Sequence, residues 1–136
     1  MTPADMLHLN HGQPGAKAGD CFRCCVATLL DLPAADVPHF CDDMDSTWMP
    51  RLLEWLRPQG LFYVMISSFE PWMLPPGTRP LVIVGGKSPR GAWGHVVVGQ
   101  VDRDGWKLIH DPHPSRAGIV GDPEDYGVFV RLMEVS

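Results

Sequence analysis

The chain has 136 residues, of which 45% are hydrophobic and 20% are charged. This length and composition predict a single globular domain, residues 1–136, and exclude a disordered chain. The formal net charge of -5 argues against binding to nucleic-acid phosphates, because proteins that do so gather excess Lys and Arg on one face. We therefore expect no nucleic-acid partner.

The N-terminus and the cysteines bear on where the protein works. Residues 1–5 lack the basic and apolar pattern of a leader, and no segment approaches the roughly 20 apolar residues of a membrane span. Three of the four cysteines, Cys21, Cys24 and Cys25, are too crowded for a disulfide framework and fit a reducing compartment. These patterns predict a cytoplasmic protein with free thiols and no membrane partner.

Two helices are predicted in the first half of the chain. Apolar residues recur at helical spacing over residues 20–30, with Asp20 as the predicted N-cap and Pro33 ending the run. A second helix is predicted over residues 48–57, where Pro50 is tolerated because it falls in the first turn.

Beyond Gly60 the pattern changes to short runs that are rich in β-branched and aromatic residues and punctuated by Gly and Pro. Helices followed by strands, without alternation, predict an α+β domain whose mostly antiparallel sheet packs against the N-terminal helix. The five predicted strands cover residues 61–66, 81–84, 95–101, 106–110 and 126–133.

A predicted hairpin aligns two polar residues on adjacent strands. The segment 102–105, Asp-Arg-Asp-Gly, predicts a three-residue loop that pairs Asp102 with Trp106. Because side chains alternate between the faces of a sheet, His95 and Asp111 then share a face, about 7 to 8 Å apart at the backbone. A loop of two or four residues would shift the register and place them on opposite faces.

Cys21 stands where the Gly-rich stretch 12–19 enters the first helix. The first turn of a helix favours a thiolate through the macrodipole and several unpaired N–H groups. The chain order Cys21, His95, Asp111 is that of a thiol nucleophile, its base and the group that orients the base. His95 and Asp111 each also fit a structural role, as a half-buried strand residue and an Asp-Pro turn, so only their combination with Cys21 predicts chemistry.

The motifs around these three residues resemble those of papain-like cysteine peptidases, and most closely the bacteriocin double-glycine leader peptidases. The resemblance covers most of the chain in order and spacing, and it implies a papain-like fold with Cys21 as nucleophile, His95 as general base and then acid, and Asp111 as orienter. We expect no metal and no cofactor. The motifs are Gly-Asp-Cys-Phe-Arg-Cys-Cys-Val-Ala at 19–27, Gly-His-Val-Val-Val at 94–98 and Ile-His-Asp-Pro at 109–112.

The chain departs from this family at the oxyanion donor. The family usually has a Gln six residues before the nucleophile, where this chain has Gly15, so Gln13 is the candidate donor together with the backbone N–H of Cys21. A missing donor typically costs about 100-fold or more in rate. Leader peptidases are also usually parts of membrane transporters, so the natural substrate does not follow from the resemblance.

Two more residues are candidates for contact with substrate. The segment 85–94 combines Gly hinges with Trp93 and runs into His95, which is typical of a mobile cleft wall and equally of an ordinary Gly-rich connection. His113 follows Pro112, where it lines the cleft or lies in an exposed loop.

A zinc site is the alternative use of the cysteines. Its ligands would be Cys21, Cys24, His39 and Cys41, but His-x-Cys is an awkward spacing for a tetrahedral site and two ligands would lie inside a helix. This spacing disfavours a metal.

We therefore expect a cysteine-dependent hydrolase that cleaves a peptide, isopeptide or other amide through an acyl-thioester on Cys21, with a peptide or protein as substrate. Two alternatives stay open. A transglutaminase-like acyl transferase has the same three residue types in the same order. A catalytically inactive papain-like module that binds a protein is favoured by the lack of Gln at the usual spacing. The sequence makes no prediction of oligomeric state.

Overall fold

The structure is a computed structural model that describes residues 1–9, 19–42 and 47–134. It contains two helices and a five-stranded antiparallel sheet, which confirms the predicted α+β class. None of the helices in these ranges is both long and apolar enough to cross a membrane. The elements are α1 (Cys21–Leu30), α2 (Trp48–Leu56), β1 (Leu61–Ile66), β2 (Leu81–Lys87), β3 (Gly94–Asp102), β4 (Gly105–His110) and β5 (Val120–Arg131).

The strands lie in the order β1-β5-β2-β3-β4, and each neighbouring pair is antiparallel. The last strand of the sequence is thus inserted between β1 and β2. Helix α1 packs on β3 and β2, as the sequence predicts for the N-terminal helix. This packing brings the start of α1 to the end of the sheet where β3 begins.

Apolar side chains cover both faces of the sheet, because alternate residues of β2 and β3 point to opposite sides. One face packs against both helices and the other against the segment around Leu74. The helix side buries Phe22, Cys25, Val26, Leu52, Leu56, Tyr63, Ile83 and Val98, and the opposite side buries Leu74, Val82, Val84, Val97 and Val101.

Both helices end where the sequence predicts. Asp31 takes a left-handed conformation directly after α1, with Pro33 close behind. Pro50 lies in the first turn of α2, and Gly60 ends the short 3-10 turn that follows it, with a φ of 73° that favours glycine.

Two strands extend several residues beyond one of their predicted bounds. Strand β2 runs to Lys87, so Gly85 and Gly86 belong to the sheet and not to a loop. Strand β5 begins at Val120, six residues before the predicted start at Tyr126. The reason is tertiary pairing: β2 and β5 hydrogen-bond to each other across a register shift, and this stabilises segments whose composition is typical of loops.

The hairpin between β3 and β4 has a shorter loop than predicted. Asp102 pairs with Gly105, so the predicted pairing with Trp106 is wrong. The physical reason is that Gly105 begins β4 instead of closing the loop. Its φ of 140° is a conformation that glycine adopts readily and other residues rarely adopt. A β-bulge then shifts the register by one residue, and Val98 pairs with His110. Beyond the bulge the register is the one that a three-residue loop would have given.

Candidate active site

Cys21 is the first residue of α1 and stays slightly exposed, whereas Cys24 and Cys25 have no exposed surface. Burial raises the pKa of the Cys24 thiol to about 12. Burial also raises the pKa of Cys25 well above its ordinary value. Both thiols are therefore protonated at neutral pH, and Cys21 is the cysteine of this helix that meets solvent.

Asp20 is the N-cap residue of α1, as the sequence predicts. Its side chain makes no capping hydrogen bond to the helix. Instead the buried carboxylate accepts hydrogen bonds from the backbone N–H groups of Leu7, at 3.1 Å, and His8, at 3.0 Å. The Asp20 side chain therefore binds the N-terminal segment and not the first turn of α1.

The N-terminal segment connects the start of α1 to the loop that follows β4. The N–H of Met6 donates to the carbonyl of Pro112 at 3.0 Å, while Asp20 holds the next two residues. The Met6 side chain also packs against Cys21 and Cys24. No motif in the sequence marks this bridge, since it consists mainly of backbone hydrogen bonds.

His95 is the second residue of β3, and its ring is buried. Its Nε2 atom lies 2.7 Å from Oδ1 of Asp111. Burial opposes a charge on the ring, but the hydrogen bond with Asp111 and the nearby Cys21 thiol outweigh it and raise the pKa of His95 to about 9. The structure therefore brings all three predicted residues together around one imidazole.

Asp111 follows directly after β4 and is held by three donors. Oδ1 accepts from Nε2 of His95 and from the N–H of His113, and Oδ2 accepts from the N–H of Gly118 at 2.7 Å. Burial favours the neutral acid, yet these hydrogen bonds dominate and lower the pKa of Asp111. Gly118 has a φ of 76°, a conformation that side chains disfavour. The carboxylate is thus ionised and fixed in orientation.

The Asp111 contact determines which ring nitrogen of His95 is available to Cys21. An ionised carboxylate only accepts hydrogen bonds, so Nε2 carries a proton and donates it. The other nitrogen, Nδ1, is buried and has no partner that meets hydrogen-bond geometry within the described ranges. Since the thiol contributes to the raised pKa of the ring, Nδ1 is the atom left to exchange a proton with Cys21.

A cavity of about 340 Å³ opens beside Cys21 and His95. Trp93, a predicted substrate contact, lines it. His113, the other predicted contact, does not: its ring packs edge-on against His95, with ring centroids 6.3 Å apart. Gln13, the candidate oxyanion donor, lies outside the described residues. The other side chains of the cavity wall are Phe22, Cys41, Trp48, Tyr63, Met65, Ile83, Val96, Glu124 and Asp125.

The alternative zinc ligands do not form a site. Over the described ranges, which include Cys21, Cys24, His39 and Cys41, no three His, Cys, Asp or Glu side chains are grouped as a metal ion would require.

Comparison of the chain with protein-family models, with curated proteins and with solved structures found no match.

Proposed function

We propose that this protein is a papain-like cysteine hydrolase that cleaves a peptide, isopeptide or other amide bond through an acyl-thioester on Cys21. The observation that carries the proposal is the position of His95, which hydrogen-bonds Asp111 through Nε2 and interacts with the Cys21 thiol. A buried histidine that served packing alone would not need an ionised carboxylate with three donors behind it.

The first half of the reaction forms the acyl-enzyme. In the proposed reactive pair the thiol proton of Cys21 resides on Nδ1 of His95, so that a thiolate faces an imidazolium. The sulfur of Cys21 attacks the substrate carbonyl carbon and the carbonyl oxygen takes up the negative charge. As the C–N bond breaks, Nδ1 gives its proton to the leaving amine, and the acyl group remains on sulfur.

The second half returns the free enzyme. Neutral His95 takes a proton from water through Nδ1, and the resulting hydroxide equivalent attacks the thioester carbonyl. The C–S bond then breaks, which releases a carboxylic acid and restores the thiolate beside the imidazolium. The backbone N–H of Cys21, at the first turn of α1, is the proposed oxyanion donor, and Gln13 is the proposed second donor.

The acyl-thioester also distinguishes the alternatives. A transglutaminase-like enzyme would form the same intermediate and pass the acyl group to an amine instead of water. A module that only binds protein would form no covalent intermediate at all.

Intact-mass spectrometry after mixing with a p-nitrophenyl ester tests the proposal. We expect one acyl group, located at Cys21 by peptide mapping and released by hydroxylamine. His95→Ala should slow acylation by about 100-fold or more. The matched control is His39→Ala, which removes a histidine that does not line the cavity and should acylate at the wild-type rate. Protein that gains no acyl group, or gains it on Cys24, Cys25 or Cys41, would refute the proposal.

A further inference from the structure

The cavity beside Cys21 carries two carboxylates in an otherwise apolar wall. Glu124 and Asp125 both line it, together with aromatic side chains such as Trp48 and Trp93. Over the described residues, neither carboxylate has an ion pair or a hydrogen-bond partner. An apolar cavity with unpaired negative charge on its wall matches a ligand with an aliphatic stem and a cationic end.

Gly85 makes room for one of these carboxylates. Gly85 pairs with Asp125 across β2 and β5, and a Cβ at this position would overlap the Asp125 side chain. The Asp125 carboxylate therefore occupies the space that a side chain at Gly85 would fill. It lies on the same face of the sheet as Ile83, which also lines the cavity.

The hydroxyl of Tyr63 adds a polar atom to the same wall. Tyr63 is 4% exposed and lines the cavity, and its hydroxyl has no hydrogen-bond partner among the described residues. The ring lies over Gly127, which is two residues from Asp125 on the same face of β5. The hydroxyl is therefore available to hydrogen-bond a polar group that enters the cavity.

The electrostatics of the wall agree with this geometry. Burial first, and the negative charge of Glu124 second, raise the pKa of Asp125. A cation between the two carboxylates would relieve both effects. Lys87 lines a depression next to Glu124 but forms no ion pair with it, so none of the described Lys and Arg side chains supplies this cation.

We propose that the cavity binds a positively charged side chain, of the lysine or arginine type, on the acyl side of the bond that Cys21 attacks. The inference rests on the proposed function for the identity of that bond. The aromatic and aliphatic wall would contact the stem, and Asp125, Glu124 and the Tyr63 hydroxyl would bind the cationic end.

Charged thiol reagents test this selectivity without any need for turnover. Aminoethyl, methyl and sulfonatoethyl methanethiosulfonates transfer a cationic, neutral or anionic thio group to the sulfur of Cys21 and release methanesulfinate. We expect the ratio of cationic to neutral rate constants at Cys21 to fall about tenfold in the double variant Glu124→Gln, Asp125→Asn. The single variant Glu124→Gln, at an exposed residue, should give an intermediate fall.

The matched control removes two carboxylates elsewhere on the surface. Asp36→Asn with Asp104→Asn changes the net charge by the same amount at exposed positions outside the cavity, and should leave the ratio unchanged. An equal ratio in wild type and in the Glu124 and Asp125 double variant would overturn the inference, whether or not the protein has hydrolase activity.

Peptide amides separate this inference from the proposed function. With Lys, norleucine or Glu on the acyl side, we expect kcat/KM to favour Lys over norleucine by about tenfold or more, and the double variant to bring that ratio close to one. Cleavage without preference for Lys would overturn the inference and leave the hydrolase standing. Wild-type protein that cleaves none of the peptides and forms no acyl-enzyme would refute the hydrolase, while the reagent ratio would still decide whether the cavity prefers cations.

Discussion

Nε2 of His95 lies 2.7 Å from Oδ1 of Asp111, although the two residues are 16 positions apart on either side of a hairpin. Both side chains are buried, and the carboxylate has two further backbone donors. This contact fixes the ring orientation and the position of one of its protons. It leaves Nδ1 as the nitrogen that can act on Cys21.

Replacement of Asp111 by Asn should weaken the hydrogen bond that orients the His95 ring and remove the negative charge beside it. The variant is nearly isosteric but carries no charge, so we expect the pKa of His95 to fall from about 9 toward or below its ordinary value. Acylation of Cys21 should slow by about 100-fold or more. An NMR titration of the His95 ring measures the first effect and ester kinetics the second. An unchanged His95 pKa would show that the carboxylate does not support the ring.

Gly118 tests the orientation of Asp111 without touching the reacting residues. Gly118→Ala places a side chain at a φ of 76° and strains the N–H that donates to Oδ2 of Asp111. Gly60→Ala is the control, because Gly60 has a φ of 73° and room for a Cβ but does not contact Asp111. Both variants should lose about 1 kcal/mol of stability in urea unfolding. Only Gly118→Ala should also slow acylation, and equal rates in the two variants would contradict this role.

The stability of the protein should fall at high pH because of His95. Its pKa is raised in the folded state, so protonation stabilises the fold fully below the unfolded value of about 6.5, and this contribution is lost as pH rises through about 9. Urea unfolding at a series of pH values measures the effect. In His95→Gln the decline over this window should be much shallower. An identical decline in the variant would show that other titrating groups cause the loss of stability.

Asp20 should control the order of the N-terminal segment. Asp20→Ala leaves the N–H groups of Leu7 and His8 without their acceptor, which typically costs about 1 to 3 kcal/mol for buried donors. Hydrogen exchange at these two amides should become much faster. Asp36→Asn is the control, since Asp36 is an exposed acidic residue with no hydrogen bond or ion pair to this segment among the described contacts. Unchanged exchange in Asp20→Ala would show that other contacts hold the segment.

The sequence predicts the elements of this fold well where local signals are strong. Helices α1 and α2 and strands β1, β3 and β4 begin and end within a residue or so of their predicted bounds, because Pro, Gly and apolar periodicity mark their ends. The end of β2 and the start of β5 differ from the prediction, since Gly85, Gly86 and the segment 122–125 are typical of loops and join the sheet through pairing of β2 with β3 and β5. These missed segments form the acidic wall of the cavity.

The predicted proximity of His95 and Asp111 is confirmed, but the predicted three-residue loop is wrong. The hairpin has a shorter loop and a bulge, and the two register shifts cancel beyond Val98. Gly99 lies where the register shifts, and a Gly inside a strand suggests a bulge, but it does not fix the size or direction of the shift. The hydrogen bonds from Leu7 and His8 to Asp20 could not be predicted from the sequence either, because their donors are main-chain N–H groups.

The rate at which iodoacetamide alkylates Cys21, followed by peptide mapping from about pH 5 to about pH 10, tests the central claim most directly. If His95 and Asp111 hold this thiol as a thiolate, Cys21 should react selectively well below the ordinary thiol pKa of about 8.5, and His95→Ala should abolish that reactivity. Slow alkylation of Cys21, at a rate like that of the buried cysteines and unchanged in His95→Ala, would contradict it.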